Sequence, residues 1–289
     1  KEDARRSIVA SPPATAVEAQ VRGGLAPWSR RPPRWVERGR RLMVMGLPIA
    51  AVLVAWSLFW DRTDFLPSPA STVATAFDLL QEPETYTNLL DTARRLVLGL
   101  GLGFGAAVLI SIVMRQSPWW RRFFAPYVFA TISTPSLAIA LFALMVFGLS
   151  EVGIFLAVGI TIFPFAVVSL VEGLDSLDAR LGEMASVYRF TWLQRVRNVA
   201  IPEMSPYLFG AFRNVHALAW KIVVIAEVFS QQTGVGYQYK LAYSFFELQR
   251  LLVWAVLFIT MVVIVEYGIL RPMERVTFRW RRTEGGASR

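Results

Sequence analysis

The sequence contains no cysteine and a single histidine, His216. The absence of cysteine excludes disulfide bonds, cysteine-ligated zinc and thiol catalysis. No G-x-x-x-x-G-K-[ST] phosphate-binding motif occurs, so any ATP hydrolysis belongs to another chain. The first forty residues contain no short apolar core followed by a cleavage site, so we predict no secretory signal peptide. We therefore expect no enzyme activity, no catalytic residues, no metal site and no bound cofactor in this chain.

Charged residues are also scarce. They make up 18% of the chain against 55% hydrophobic residues, and the mean hydropathy is +0.45. A soluble domain of this length does not carry so much apolar sequence. The formal net charge of +9 alone would suggest nucleic acid, but in a membrane protein the placement of charge matters more than its sum. We predict an all-α membrane protein without a nucleic-acid partner.

The apolar residues form blocks long enough to cross a bilayer as helices, which takes about 18 residues or more. Six spans are predicted, at approximately 42–60, 93–114, 124–147, 152–172, 206–229 and 251–270. Lysine and arginine concentrate in alternate loops, which places both termini in the cytoplasm. Arg94 and Arg95 run against this pattern, because they lie at the outer end of the second span.

The sequence predicts three regions: a basic tail at 1–41, a six-span membrane domain at 42–272 and a basic tail at 273–289. The first tail is either a solvated leader or a segment that binds anionic lipid. The stretch from Phe65 to Leu80 combines prolines and a serine with an apolar periodic run, which predicts a short helix on the outer surface.

A polar interruption, residues 178–206, separates the fourth and fifth spans. Its apolar residues recur at helical spacing, and Thr191 and Gln194 match a capping box. We predict two short amphipathic helices at about 176–202, with Pro202 ending the second one. The residues alone leave two interpretations open. The helices either rest on lipid or dock onto a cytoplasmic protein.

This interruption resembles the "EAA" loop of ABC importer permeases, E-A-A-x-x-x-G followed by I-x-L-P. Glu183, Ala185 and Pro202 match that motif, while Met184 replaces the first Ala and Arg189 stands where the family has Gly. The resemblance implies a pair of coupling helices that insert into a groove of the ATPase subunit. It assigns ATPase coupling to Glu183, Met184, Ala185, Tyr188, Arg189, Trp192 and Pro202. Arg189 either adopts a strained left-handed turn or changes the turn.

The resemblance covers roughly residues 60–275. "FLPSP", "RRLVLGLGLGFGAAV", "TPSLAIALFALMVFGLSEVGIFL" and "GVGY" are similar to the nitrate/sulfonate/taurine-type branch of these permeases, although the tryptophan usual at the third span is missing. It implies a homodimer in the bacterial inner membrane, two ATPase subunits that bind ATP and Mg, an external substrate-binding protein, contact with membrane lipid and a small anionic substrate.

Four ionisable residues lie in the fifth span: Arg213, His216, Lys221 and Glu227. We expect Arg213 and Glu227 to make fixed hydrogen bonds near opposite ends of the span, and His216 to be a satisfied interior residue. Lys221 either lines a path for an anion or pairs with an acid such as Glu266.

The candidate path residues are Lys221, His216, Trp220, Thr134 and Ser136. The two hydroxyls lie beside Pro135, which with Pro164 is expected to interrupt a span; they either contact substrate or cap their own backbone. In "GLGLGFG", the pairs Gly99/Gly103 and Gly101/Gly105 predict close helix packing rather than nucleotide binding.

The function predicted from these features is the permease subunit of an ABC importer. The alternatives are a secondary transporter or channel not driven by ATP, and a membrane scaffold whose helix pair only rests on lipid. Proton-coupled carriers place acids deep in several spans, whereas the acids here lie near span ends.

Overall fold

The computed structural model describes residues 67–230 and 233–277, together with residues 47, 50, 51 and 54–58. The chain divides into an N-terminal unit, residues 1–58, and a second unit, residues 59–289. The described residues of the first unit are helical. The tail at 1–41, most of the predicted first span at 42–60 and the chain after residue 277 lie outside the described residues.

Eleven α-helices make up most of the described part of the second unit, and no strand occurs in it. They are α1 (Pro69–Gln81), α2 (Pro83–Gln116), α3 (Pro118–Ser133), α4 (Ser136–Phe147), α5 (Glu151–Asp175), α6 (Ala179–Val187), α7 (Trp192–Arg195), α8 (Ile201–Ser230), α9 (Val235–Ser244), α10 (Leu248–Val265) and α11 (Arg271–Thr277). One π-helical turn, Val196–Ala200, joins α7 to α8, and another, Glu266–Leu270, joins α10 to α11. The all-helical prediction is confirmed.

Among the described residues, four helical segments are long and apolar enough to cross a membrane, or five if one bent pair counts as a span. The four are Pro83–Gln116, Glu151–Asp175, Trp192–Ser230 and Leu248–Arg275. Three of them extend well beyond the predicted spans, because polar turns at their ends continue the helix. In particular, α2 begins ten residues before the predicted start at 93.

The predicted third span, 124–147, is a broken helix. Its halves, α3 and α4, meet at an angle of 105°. Thr134 has extended backbone at the break, as expected for a residue that precedes proline. The expected interruption at Pro164 is wrong, since α5 runs through that residue without a break. A proline in the middle of a membrane helix is tolerated where packed neighbours compensate for its missing N–H.

The core centres on α5, whose Ile154, Val158 and Ile162 are fully buried. Helix α2 approaches α5 closely through glycine. A Cβ atom added at Gly103 would lie 2.5 Å from the carbonyl oxygen of Gly159, a distance that real side chains do not reach. The close packing predicted for Gly99 and Gly103 is therefore confirmed. Gly101 and Gly105, the second predicted pair, face open space in the described residues.

A buried ionic cluster joins α2, α5 and α8 at one end of this core. Arg95 is fully buried, and its Nη1 donates to Glu227 Oε1 at 2.7 Å. Its Nε donates to Glu151 Oε1 at 3.1 Å. The Thr92 hydroxyl donates to the Glu227 carboxylate at 2.9 Å. We call these four residues the Arg95 cluster. It holds the start of α5 and the end of α8 against α2.

The loop between α8 and α9 is fixed by the same cluster. Arg95 donates to the backbone carbonyl of Thr233 at 2.8 Å, and Glu227 accepts from the backbone N–H of Gly236 at 2.9 Å. Gly234 has φ +106°, and a Cβ there would lie 2.4 Å from Glu227 Oε1. Only glycine fits this position, because both the backbone angle and the space exclude a side chain.

Helix α1 confirms the short helix predicted between Phe65 and Leu80. The Ser68 hydroxyl caps it by accepting from the backbone N–H of Ser71 at 3.0 Å. Leu79 packs in a small buried cluster with Val235, Val253 and Trp254, which lie on α9 and α10. Burial beside this cluster raises the pKa of the Tyr239 phenol to about 12. The phenol therefore stays protonated at physiological pH.

We expect Gly103→Ala to destabilise the chain, since the added methyl group must push α2 away from the Gly159 backbone. Overpacking of this kind costs typically about 1–3 kcal/mol. Gly105→Ala is the matched control and should stabilise by up to ~1 kcal/mol through helix propensity. Thermal unfolding of the purified chain in detergent measures both. Equal shifts for the two variants would contradict the packing.

We expect Glu227→Gln to destabilise strongly, because it leaves the buried Arg95 with one carboxylate partner fewer. Removing one partner of a buried ion pair costs about 3–5 kcal/mol. Glu247→Gln is the control, since Glu247 pairs with Arg250 at 3.4 Å in an exposed position and such pairs contribute about 0–1 kcal/mol. An unfolding temperature no lower for Glu227→Gln than for the control would show that the cluster is not a main source of stability.

Candidate coupling and transport site

Helices α6 and α7 form a helix pair at the end of the core opposite the Arg95 cluster. The Asp178 side chain caps α6 by accepting from the backbone N–H of Arg180 at 2.9 Å. After α6, the backbone N–H of Phe190 donates to Ala185 O at 2.9 Å, and that of Arg189 donates to Ser186 O at 3.0 Å. These two bonds are a Schellman motif, which requires a left-handed residue at the position after the C-cap.

Arg189 occupies that left-handed position with φ +50°. Of the two possibilities that the sequence left open, the chain keeps the turn that glycine ordinarily makes and places an arginine in it. The cost is on the order of 1–2 kcal/mol, because the Cβ atom approaches the neighbouring carbonyl oxygen.

Helix α7 begins with the predicted capping box. The Thr191 hydroxyl accepts from the backbone N–H of Gln194 at 3.4 Å, and the Gln194 side chain accepts from the backbone N–H of Thr191 at 2.9 Å. The prediction that Pro202 ends this helix is wrong. The chain passes from α7 through the π turn into α8 without a break. In a π turn each backbone hydrogen bond spans five residues, one more than in an α-helix. This wider turn directly before Pro202 accommodates the N–H that proline lacks.

The apolar residues of the helix pair are uncovered in the described residues. Tyr188 is 70% exposed and Trp192 is 76% exposed. Five residues form this helix-pair surface: Met184, Val187, Tyr188, Trp192 and Leu193. Large apolar side chains grouped in this way on a polar segment mark a surface that another molecule covers.

The predicted coupling residues divide by exposure. Glu183, Met184, Tyr188, Arg189 and Trp192 are exposed on the helix pair, whereas Ala185 is fully buried. Pro202 is exposed in the first turn of α8. Ala185 therefore supports the pair from behind, and the exposed residues are the ones available to a partner.

Polar contacts hold the start of the helix pair and the end of α5 that leads into it. Glu203, near the start of α8, accepts from the backbone N–H of Asp178 at 2.6 Å. Arg121 makes two hydrogen bonds to the Asp175 carboxylate, at 2.7 Å and 3.2 Å. The start of the helix pair is thus hydrogen-bonded to α8, and the end of the pair continues directly into α8.

Helix α8 carries the ionisable groups of the predicted fifth span. His216 is buried and accepts at Nε2 from Trp220 Nε1 at 3.1 Å, the satisfied interior position expected from the sequence. Arg213 pairs with Glu266, and with Glu274 at 3.3 Å. Glu266, a possible partner of Lys221 from the sequence, pairs with Arg213 instead. Lys221 is exposed and makes no ion pair with a described residue.

Thr134 and Ser136 lie at the bend between α3 and α4. The Thr134 hydroxyl donates to the backbone carbonyl of Ala130 at 2.9 Å, so it caps its own helix. No hydrogen bond or ion pair joins this bend to Lys221 within the described part of the chain. The structure therefore does not bring the five predicted path residues into one cluster.

The Arg95 cluster contains the residues that the sequence did not predict to act together. One signal was available: Arg94 and Arg95 depart from the charge rule that the other loops follow. A buried arginine in a membrane helix is costly unless acids pair with it. The exception therefore pointed to partners on other helices, and Glu151 and Glu227 are those partners.

Comparison with known proteins places this geometry in a family. Residues 99–271, which include the helix pair and α8, match the family described as "Binding-protein-dependent transport system inner membrane component". The chain is 26% identical over 254 residues to the putative aliphatic sulfonates transport permease protein SsuC of Bacillus subtilis, covering 86% of this chain and 92% of the relative. It is 24% identical over 228 residues to the nitrate import permease protein NrtB of Synechococcus elongatus, covering 73% and 81%.

A solved structure supports the fold. The crystal structure of an amino acid ABC transporter with histidines superposes with a TM-score of 0.53 at 19% identity, covering 74% of this chain and 98% of that one. The family match extends over more than half of the sequence. The chain therefore belongs to the binding-protein-dependent transport system inner membrane components, the permease subunits of ABC importers.

Proposed function

We propose that this chain couples ATP hydrolysis in a separate cytoplasmic subunit to transport of a small organic or inorganic anion. The observation that carries the proposal is the helix-pair surface, with Tyr188 and Trp192 uncovered on a polar segment. Aromatic side chains of this kind bury about 150–250 Å² each when a partner covers them. A groove on an ATPase subunit is the partner that the family membership favours.

The link from the helix pair to the transport helices is stiff. Helix α7 runs through the π turn into α8, and Glu203 holds the start of α6 to the same helix. A displacement of the helix pair by the ATPase subunits would therefore move α8 with it. In this mechanism Glu183, Met184, Tyr188 and Trp192 contact the ATPase, while Ala185, Arg189 and Pro202 shape the pair and its turn.

The assembly proposed is a homodimer with two ATPase subunits and an external substrate-binding protein. ATP and Mg are bound by the ATPase subunits, and this chain supplies no cofactor. Six spans follow if residues 42–60 cross the membrane and α3 with α4 crosses as one broken span. Both termini then lie in the cytoplasm of the bacterial cell, on the side of the helix pair, in agreement with the basic residues Arg115 and Arg121 at that end.

The anion assignment is supported by relatives named for sulfonates and nitrate and by Lys221, which has no acidic partner in the described part of the chain. Lys221, Thr134 and Ser136 are the path residues proposed to contact the anion. His216 and Trp220 are buried, so we assign them to the support of that path. The secondary transporter is less favoured, since Glu227 and Glu266 pair with arginines and are not free to carry protons.

We expect Tyr188→Ala and Trp192→Ala each to weaken binding of the ATPase subunit by about 30-fold or more, the loss typical of an aromatic interface anchor. Co-purification with the ATPase and substrate uptake should fall together. Tyr243→Ala is the control, because Tyr243 is 73% exposed but lies on α9, beyond the opposite end of α8. Retained ATPase binding in both helix-pair variants would contradict the coupling role. Uptake that persists without ATP but with a proton gradient would favour the secondary transporter.

We expect Arg189→Gly to stabilise the helix pair by about 1 kcal/mol, since glycine adopts the left-handed backbone without the Cβ clash. ATPase coupling should be retained if the turn alone matters at this position. Thermal unfolding and the ratio of uptake to ATP hydrolysis measure the two effects. A stabilised variant that no longer couples would show that the Arg189 side chain itself contacts the ATPase.

A further inference from the structure

One exposed face of α8 is small and polar instead of apolar. Gly210, Asn214, Ala217 and Lys221 are all exposed and recur at i, i+4, i+7 and i+11, which is a single helical face. We call these four residues the α8 stripe. His216 and Trp220 lie outside this stripe, are buried and face the core.

The α8 stripe differs from the exposed face of α10. On α10 the exposed residues include Val256, Ile259 and Val263, which suit contact with lipid tails. An ammonium and a carboxamide within a span are costly against hydrocarbon and ordinarily face a cavity filled with water. The composition of the stripe therefore favours an aqueous surface over a lipid-facing one.

A cavity lies against the cytoplasmic half of the stripe. Its volume is about 500 Å³, and it is lined by Gly210, Arg213, Asn214, Ala217 and Glu266. The wall carries both polar and apolar groups, and glycine and alanine leave the α8 backbone approachable. This space is open along the same helical face that carries Lys221.

The charges around the cavity make Lys221 distinct. Arg213 is compensated by Glu266 and Glu274, so it adds little net positive potential to the cavity. Lys221 has no acidic partner among the described residues and lies two helical turns from Asn214, about 10 Å along the axis. An anion approaching from the Arg95 end would meet the uncompensated cation first and the nearly neutral cavity second.

We propose that the α8 stripe lines the aqueous path and that Lys221 and then Asn214 contact a small oxyanion as it crosses. This inference rests on the proposed function, whose path it assigns to one helical face. Attraction by a single cation followed by a neutral cavity suits transport, since a path must bind its substrate weakly enough to release it.

The absence of cysteine allows a direct test. Single variants Asn214→Cys, Ala217→Cys and Lys221→Cys are made in the full chain, assembled in membrane vesicles, and treated with membrane-impermeant methanethiosulfonates of either charge. Ile259→Cys and Val263→Cys are controls on an exposed apolar face. We expect the stripe thiols to react at least 10-fold faster than the control thiols. Stripe thiols as slow as the controls would overturn the path and indicate lipid or a second copy of the chain on this face.

The role of Lys221 is tested separately with the Ala217→Cys chain. Positions 217 and 221 are neighbours on the helix, within about 6 Å, so the ratio of the anionic to the cationic reagent's rate should be higher than for a free thiol in solution. Lys221→Gln in that chain should lower the ratio of the two rates by roughly 10-fold, the size of a nearby charge effect in a partly aqueous site. Lys240→Gln, which removes an exposed lysine of α9, is the control. An unchanged ratio in Lys221→Gln would overturn the anion contact.

These reactions need no turnover of ATP, so they separate the path from the coupling. If Tyr188→Ala and Trp192→Ala left ATPase binding unchanged, that result would contradict the proposed function only. The thiol rates of the α8 stripe would still decide whether this face is aqueous and whether Lys221 sets its potential.

Discussion

The buried pairing of Arg95 with Glu227 and Glu151 is the constraint on which the arrangement of the helices depends. An arginine without solvent exposure in an apolar helix bundle must keep its acidic partners, because an uncompensated buried charge costs several kcal/mol. The two acids come from α5 and α8, so satisfying one side chain fixes three helices. The loop from Thr233 to Gly236 is then placed by hydrogen bonds to the same groups.

The two ends of the bundle consequently differ in physical character. At the Arg95 end the charged groups are paired, with Arg95 and Glu227 fully buried, and glycines let the α2 backbone contact that of α5. At the other end the helix pair displays Tyr188 and Trp192 to its surroundings. In the proposed coupling mechanism, the paired end gives α8 a fixed point, and the helix-pair surface is where an ATPase subunit would apply force. Such an arrangement suits a helix that tilts when a partner moves.

Local features of the fold could be predicted from the sequence because they depend on neighbouring residues. The capping box at Thr191, the short helix before Leu80 and the glycine contact at Gly103 all follow from spacing alone. The continuation of the second helix past Pro202 could not be predicted in this way, since the π turn before the proline depends on the helix continuing into α8. The partners of Arg95 could not be predicted either, because they lie 56 and 132 positions away along the chain.

The roles of the charged residues in the candidate site likewise could not be predicted from neighbouring residues alone. Arg213 and Lys221 occupy one helix, and their sequence contexts do not separate a structural cation from a free one. Their ion-pair partners distinguish them. Acids in the segment after α10 neutralise Arg213, whereas no described acid pairs with Lys221. Helical periodicity then explains why the difference matters. The face that carries Lys221 is the one with small and polar residues, whereas the face that carries His216 and Glu227 is packed into the core. A residue's role in this membrane helix is therefore set by which neighbours pair with it, and the face it occupies determines whether an unpaired charge can reach water.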